Sequence, residues 1–159
     1  MKSGFTLIEL LIVMVIVGIL VTIALPKYNA SLERARAQEG IANLKAASDI
    51  INAHYVMNGN EYSNEGITDG HGNFITGDFI KSKYFTTPNM KFLSGEVTKA
   101  PAVSRMEGGE SLYSLVAVNG EGEFHYITCS SMYYPKYCEE IGGVPQAENP
   151  NIYIIDAGN

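Results

Sequence analysis

Basic residues are scarce in this chain of 159 residues, with eleven Lys and Arg against seventeen Asp and Glu and a formal net charge of −6. That balance leaves no broad positive surface to neutralise phosphates, so direct nucleic-acid binding is not expected, although a local basic patch is not excluded. Histidine is scarcer still. His54, His71 and His125 fall in a helical stretch, a turn-rich loop and an extended stretch, and no serine sits in a recognisable nucleophile motif. No catalytic set is legible, and the chain does not read as an enzyme. Only two cysteines occur, Cys129 and Cys138, which is too few for closed zinc coordination. The alternation of Asp69, His71 and Asn73 invites a calcium loop, but Phe74 stands where an EF-hand needs Gly and Ile80 where it needs Glu. A calcium site of another kind stays open there; no metal and no cofactor is expected.

What is present is unevenly placed. Residues 1–26 hold only Lys2 and Glu9, residues 27–45 hold four basic and two acidic side chains, and the remainder holds fourteen acids against six bases. An acidic outer body follows a basic collar. From Phe5 to Leu25 the sequence FTLIELLIVMVIVGILVTIAL runs for 21 residues with a single charge. At about 1.5 Å per residue it spans close to the ~30 Å hydrocarbon core of a bilayer. A secretory signal peptide also joins a basic residue to an apolar stretch, but that stretch is typically about 7 to 15 residues and closes at a small-residue site that is absent here. A plain anchor helix accounts for the length. It does not account for Glu9, because an acid at the centre of a membrane helix costs roughly 2.5 to 3.5 kcal/mol and usually faces a partner. The run supplies no cation.

The stretch GFTLIELLIVMVIVGIL, together with Lys2 before it and Pro26 after it, resembles the N-terminus of type IV prepilins and of the related pseudopilins of type II secretion. In that family a short basic leader ends in Gly, a membrane-embedded peptidase cuts after it on the cytoplasmic side, and the same enzyme methylates the new N-terminus. The resemblance implies a cleaved leader over 1–4, cutting between Gly4 and Phe5, N-methylation at Phe5, and a transmembrane assembly helix over 5–25. It also implies that Glu9 of one subunit pairs with the Phe5 amine of its neighbour, since a lone buried carboxylate is costly whereas a paired one is tolerable. Gly18 and Pro26 match the family's helix weak points: Gly costs about 1 kcal/mol and Pro about 3 kcal/mol inside a helix.

The function implied is that of a structural subunit, a type IV pilin or minor pilin, that polymerises through this helix into a surface filament. A type II secretion pseudopilin is the alternative within the class, and a membrane-anchored enzyme or receptor domain the alternative outside it. The implied partners are other pilin subunits, the prepilin peptidase, the inner-membrane assembly platform, and membrane lipid before assembly. The implied location is the inner membrane, single-pass, with the head in the periplasm, and then an extracellular pilus or periplasmic pseudopilus. One count opposes this orientation. Lys27, Arg34 and Arg36 outnumber Lys2 across the span, which by the positive-inside rule favours a cytoplasmic C-terminus. The leader match and the cysteine pair point the other way.

Beyond Pro26 the chain is rich in helix formers. Ile41, Leu44, Ser48, Ile51 and Tyr55 recur at helical spacing, so the helix is expected to continue over 26–57 as an amphipathic segment with Asn58 and Gly59 as stop residues. Ala35, Ala37, Gly40, Ala42, Ala46 and Ala47 would let other elements approach closely. The head is expected over 58–159, with strands at 92–98, 112–118, 123–129 and 151–156, and residues 119–122 as a hairpin loop. The fold class is α+β: a long N-terminal helix packed on a small antiparallel sheet, as the resemblance also implies. In an exported chain Cys129 and Cys138 are expected to form a disulfide worth about 2.7 kcal/mol for a ring of this size. Such a loop near the C-terminus is common in type IV pilins and uncommon in pseudopilins. Tyr133, Tyr134 and Tyr137 inside it are expected to be exposed as a contact surface.

Overall fold

The computed structural model describes residues 5–57, 59, 82–86, 101–131 and 133–155. Helix α1 spans Leu7–Met57, 51 residues that continue through Pro26. The strands are β1 (Phe85–Thr86), β2 (Ala102–Glu107), β3 (Glu110–Gly120), β4 (Glu123–Ser130), β5 (Val144–Pro145) and β6 (Ile152–Ile155), with a short helix α2 (Pro135–Glu140) between β4 and β5. They form one sheet in the order β1-β2-β3-β4-β6-β5, antiparallel at every pairing. This is the α+β arrangement expected. The expected strand at 92–98 and the Asp69–Ile80 stretch lie outside the described residues.

The C-terminal part of α1 lies on the sheet. Its buried positions, including Ala37, Ile41, Leu44, Ala47, Ser48 and Ile51, repeat every three or four residues and form one face. Of the periodic set, Ile41, Leu44, Ser48 and Ile51 are buried and Tyr55 is half-buried. The face meets Val103, Tyr113, Leu115, Ala117 and Ile127 from alternate positions of β2, β3 and β4. Gly40 sets how closely helix and sheet approach: a Cβ there would stand 2.9 Å from Phe85 Cζ and 3.2 Å from Leu115 Cδ1. Of the other small residues, Ala37 and Ala47 are buried while Ala35, Ala42 and Ala46 face outward.

The hairpin between β3 and β4 is tighter than the four-residue loop expected. Asn119 and Gly120 stay in the ladder opposite Phe124 and Glu123, leaving Glu121 and Gly122 as a two-residue turn with φ of 52° and 82°. Positive φ at both positions is what a type I′ hairpin requires. The register shift beside Asn119 leaves His125 as the extra residue of a bulge, exposed as a strand-surface histidine.

Candidate functional site

Among the described residues nothing packs on the apolar stretch of α1 before Pro26. Every residue from Phe5 to Leu25 is exposed, with Phe5 at 83% and Leu25 still at 53%. The helix is long and apolar enough to cross a membrane, and its apolar window is entirely unburied. An exposed apolar surface of this extent on a folded chain marks a face that lipid or protein covers.

Glu9 is not idle at the head of this helix. The Thr6 backbone N–H donates to Glu9 Oε2 at 2.8 Å and the Thr6 hydroxyl donates to the same oxygen at 2.7 Å. The Glu9 N–H returns a longer bond of 3.4 Å to Thr6 Oγ1. Thr6 and Glu9 are the first and fourth residues of a capping box, which satisfies donors that the first helical turn otherwise leaves open. The sequence TLIE carries that signal, and the expectation of a carboxylate waiting only for a neighbour's amine overlooked it. Phe5 is one residue before the cap, so a new terminus there would stand beside the carboxylate. A Cβ at Gly18 would meet nothing within 4 Å beyond its neighbours and the backbone of its own helical turns, and Gly4 lies outside the described residues.

Where the apolar run ends, the head begins. Pro26, Asn29 and Ala30 on α1 share a cleft of about 740 Å³ with Tyr133, Tyr134 and Lys136 from the segment around α2. Cys129 at the end of β4 and Cys138 on α2 form a disulfide with Cα atoms 5.7 Å apart, and both are fully buried. The enclosed loop is tied down on both sides. Ser131 Oγ donates to the Leu112 carbonyl at 2.6 Å and accepts the Tyr134 N–H at 2.9 Å, while Arg34 Nε donates to the Glu140 carbonyl. Helix α2 closes with Gly142 at φ +98°, its N–H on the Glu139 carbonyl and the Gly143 N–H on that of Cys138, a Schellman ending. Tyr133 and Tyr134 are exposed at 75% and 44%. Tyr137 corrects the expectation: it is half-buried, packed on the core with its ring 6.1 Å from that of Tyr113. The helical turn of α2 directs it inward.

On the wall of the cleft, a charged cluster that includes Glu33 and Arg36 joins helix to sheet. Glu33 accepts from Arg105 Nε at 2.8 Å, Arg105 Nη2 at 3.3 Å, Tyr113 Oη at 2.9 Å and Arg36 Nη1 at 3.1 Å. Glu33, Arg105 and Tyr113 are 5%, 3% and 1% exposed. Burial alone would raise the Glu33 carboxyl, but the bonds from Arg105, Tyr113 and Arg36 outweigh it and hold the group below its ordinary range. Burial, with the Glu33 charge beside it, pushes the Tyr113 hydroxyl well up. No sequence signal marks this cluster, because its members lie 72 and 80 residues apart. Among the described residues no group of His, Cys, Asp and Glu is placed to hold a metal ion.

A family profile described as the prokaryotic N-terminal methylation motif matches residues 1–25. The chain is 35% identical over 106 residues, 67% of its length, to a fimbrial protein of Neisseria meningitidis serogroup B, and it spans 59% of the length of that relative. A fimbrial protein of Eikenella corrodens is 28% identical over 136 residues, covering 86% of this chain and 87% of that protein. A type IV major pilin protein of Neisseria gonorrhoeae is 41% identical over 59 residues, 37% of this chain and 36% of that protein. No solved structure matches significantly.

Proposed function

We propose that this chain, which carries the prokaryotic N-terminal methylation motif and is similar to fimbrial proteins and type IV major pilins, is a structural pilin subunit. In this reading the leader over 1–4 is removed between Gly4 and Phe5, Phe5 becomes N-methylated, and residues 5–25 anchor the subunit in the inner membrane with the head outside the cytoplasm. Other subunits then replace lipid around the helix as it enters a filament. Glu9 pairs with the Phe5 amine of a neighbour, and Gly18 and Pro26 are the points at which the helix yields. The prepilin peptidase and the inner-membrane assembly platform are the partners this sequence of events requires. The observation that carries the reading is the apolar half of α1, exposed from end to end while the other half is seated on the sheet.

A secretion pseudopilin is less favoured. The disulfide Cys129–Cys138 and relatives described as fimbrial support the pilin reading over it. Mass spectrometry of the chain from native membranes tests the first step: an N-methylated Phe5 terminus is expected, and an intact Met1 terminus in the presence of active peptidase overturns the reading. Glu9→Ala subunits should be inserted and processed but absent from sheared filaments. Recovery at wild-type levels, with no other pilin supplying the contact, refutes the pairing. Loss of the subunit should abolish surface filaments and leave enzyme secretion intact; the opposite pattern selects the pseudopilin.

A further inference from the structure

The cleft places an unusual set of side chains at one depth. Six residues of α-helix advance about 9 Å, so the rise from Pro26 to Leu32 covers the headgroup layer, which adds about 5 to 8 Å to each side of the hydrocarbon core. Tyr133, Tyr134 and Lys136 face the same cleft as this rise and therefore lie at headgroup depth whenever the apolar run lies in a bilayer. We propose that the disulfide loop and the basic collar form a seat for anionic phospholipid headgroups, which holds the head against the membrane before the subunit enters a polymer. The inference rests on the membrane anchorage proposed above.

Three observations support it. Tyr28, Tyr133 and Tyr134 are exposed at 60%, 75% and 44%, and rings with a polar tip concentrate where hydrocarbon meets water. The acids that line the cleft are already engaged: Glu33 by Arg105 and Arg36, Glu140 by Lys136 at 3.1 Å, and Glu107 by Arg105 at 3.6 Å. Among the described residues neither Lys27 nor Arg34 pairs with a carboxylate, so both keep their charge for phosphate. Finally, beyond residue 45 the chain holds fourteen acids against six bases. An anionic surface repels that body and attracts only the collar, which fixes which end of the head faces the bilayer. Lys27 and Arg34, two of the three bases that run against the positive-inside count, thereby have phosphate partners on their own side of the membrane.

The chain contains no tryptophan, so single substitutions serve as reporters. The full-length chain would be placed in phosphatidylcholine vesicles with or without phosphatidylglycerol, each containing brominated lipid. Ile12→Trp reports anchorage, Tyr133→Trp and Tyr28→Trp report the seat, and Val56→Trp reports the far end of the head. Quenching is expected for Ile12→Trp in both vesicles, for Tyr133→Trp and Tyr28→Trp chiefly in the anionic ones, and not for Val56→Trp. Adding Lys27→Ser should lower the ratio of seated to lifted heads about 5-fold for the one unpaired charge removed. Quenching of Ile12→Trp alone overturns the seat and leaves the anchor standing. An unquenched Ile12→Trp removes both. Equal quenching at Tyr133→Trp in the two lipid mixtures refutes the anionic preference. A blue-shifted Tyr133→Trp emission that grows with protein density and is insensitive to bromine assigns this face to a second copy and overturns the inference.

Discussion

Glu33→Ala tests whether the charged cluster is what fastens α1 to the head. The substitution removes a carboxylate that accepts four hydrogen bonds and leaves Arg105, 3% exposed, with the Met106 carbonyl and an exposed Glu107 3.6 Å away. Breaking a buried pair from one side costs about 3 to 5 kcal/mol, because the remaining charge is uncompensated. Against a total stability of about 5 to 15 kcal/mol this is a large share. For a head of this size it corresponds to a fall in Tm of at least about 12 °C. The assay is thermal unfolding of the full-length chain in detergent micelles, followed by tyrosine near-ultraviolet circular dichroism. The triple variant Glu33→Leu, Arg105→Met, Tyr113→Phe replaces the polar group by an apolar one and should recover to within about 2 kcal/mol of wild type. A Glu33→Ala protein within about 1 kcal/mol of wild type, or a triple variant no better than the single one, refutes the reasoning.

The folded Glu33 carboxyl lies below its ordinary value of 4.5, so its contribution to stability is present above that pH and is lost as pH falls through the lower folded value. Titrating wild type and Glu33→Gln in parallel should show their stability difference shrinking only below pH 4.5; a difference independent of pH down to acid unfolding contradicts the assignment. Reducing Cys129–Cys138 should lower stability by about 2.7 kcal/mol, and neither thiol should react with a membrane-impermeant reagent until the chain is unfolded and reduced. Labelling without reduction refutes the disulfide, and protection that depends only on an intact membrane refutes the periplasmic head. Gly40→Ala should destabilise by about 1 kcal/mol despite its better helix propensity, since the buried Phe85 ring has little room to give. A gain in stability by denaturant unfolding would show that helix and sheet can separate there.

The sequence made α1 legible because a membrane-length run and a 3.6-residue period each leave a local trace. Strands β3, β4 and β6 were legible for the same reason, as alternating or apolar stretches set off by turn residues. Strand β2 was not: the buried position two residues after Val103 is Arg105, and a charge in that place breaks the alternation by which a half-buried strand is recognised. Helix α2 was missed because its six residues are too few to show a period, and its first residue has no side-chain cap to announce it. Residues Gly4, Phe5, Glu9, Gly18 and Pro26 were read from a resemblance confined to the first 26 positions, which says nothing about the head. The Glu33 cluster left no trace because tertiary folding alone brings its members together. Tyr137 was misjudged on composition, since a tyrosine's burial depends on which way the backbone turns it.

The sheet ends in two very short strands, β1 and β5, of two residues each, and β5 includes Pro145, which has no N–H to offer. Among the described residues the head therefore presents no long open edge on which a second sheet could extend the ladder. Copies of this chain that meet at the described edges would do so through helices and side chains rather than by backbone hydrogen bonds running from one copy to the next. An amyloid fibril is nearly permanent because every added strand is stitched to the last. An assembly without such stitching can release its members whole, one after another, each carrying away a folded and undamaged head that is fit to be used again.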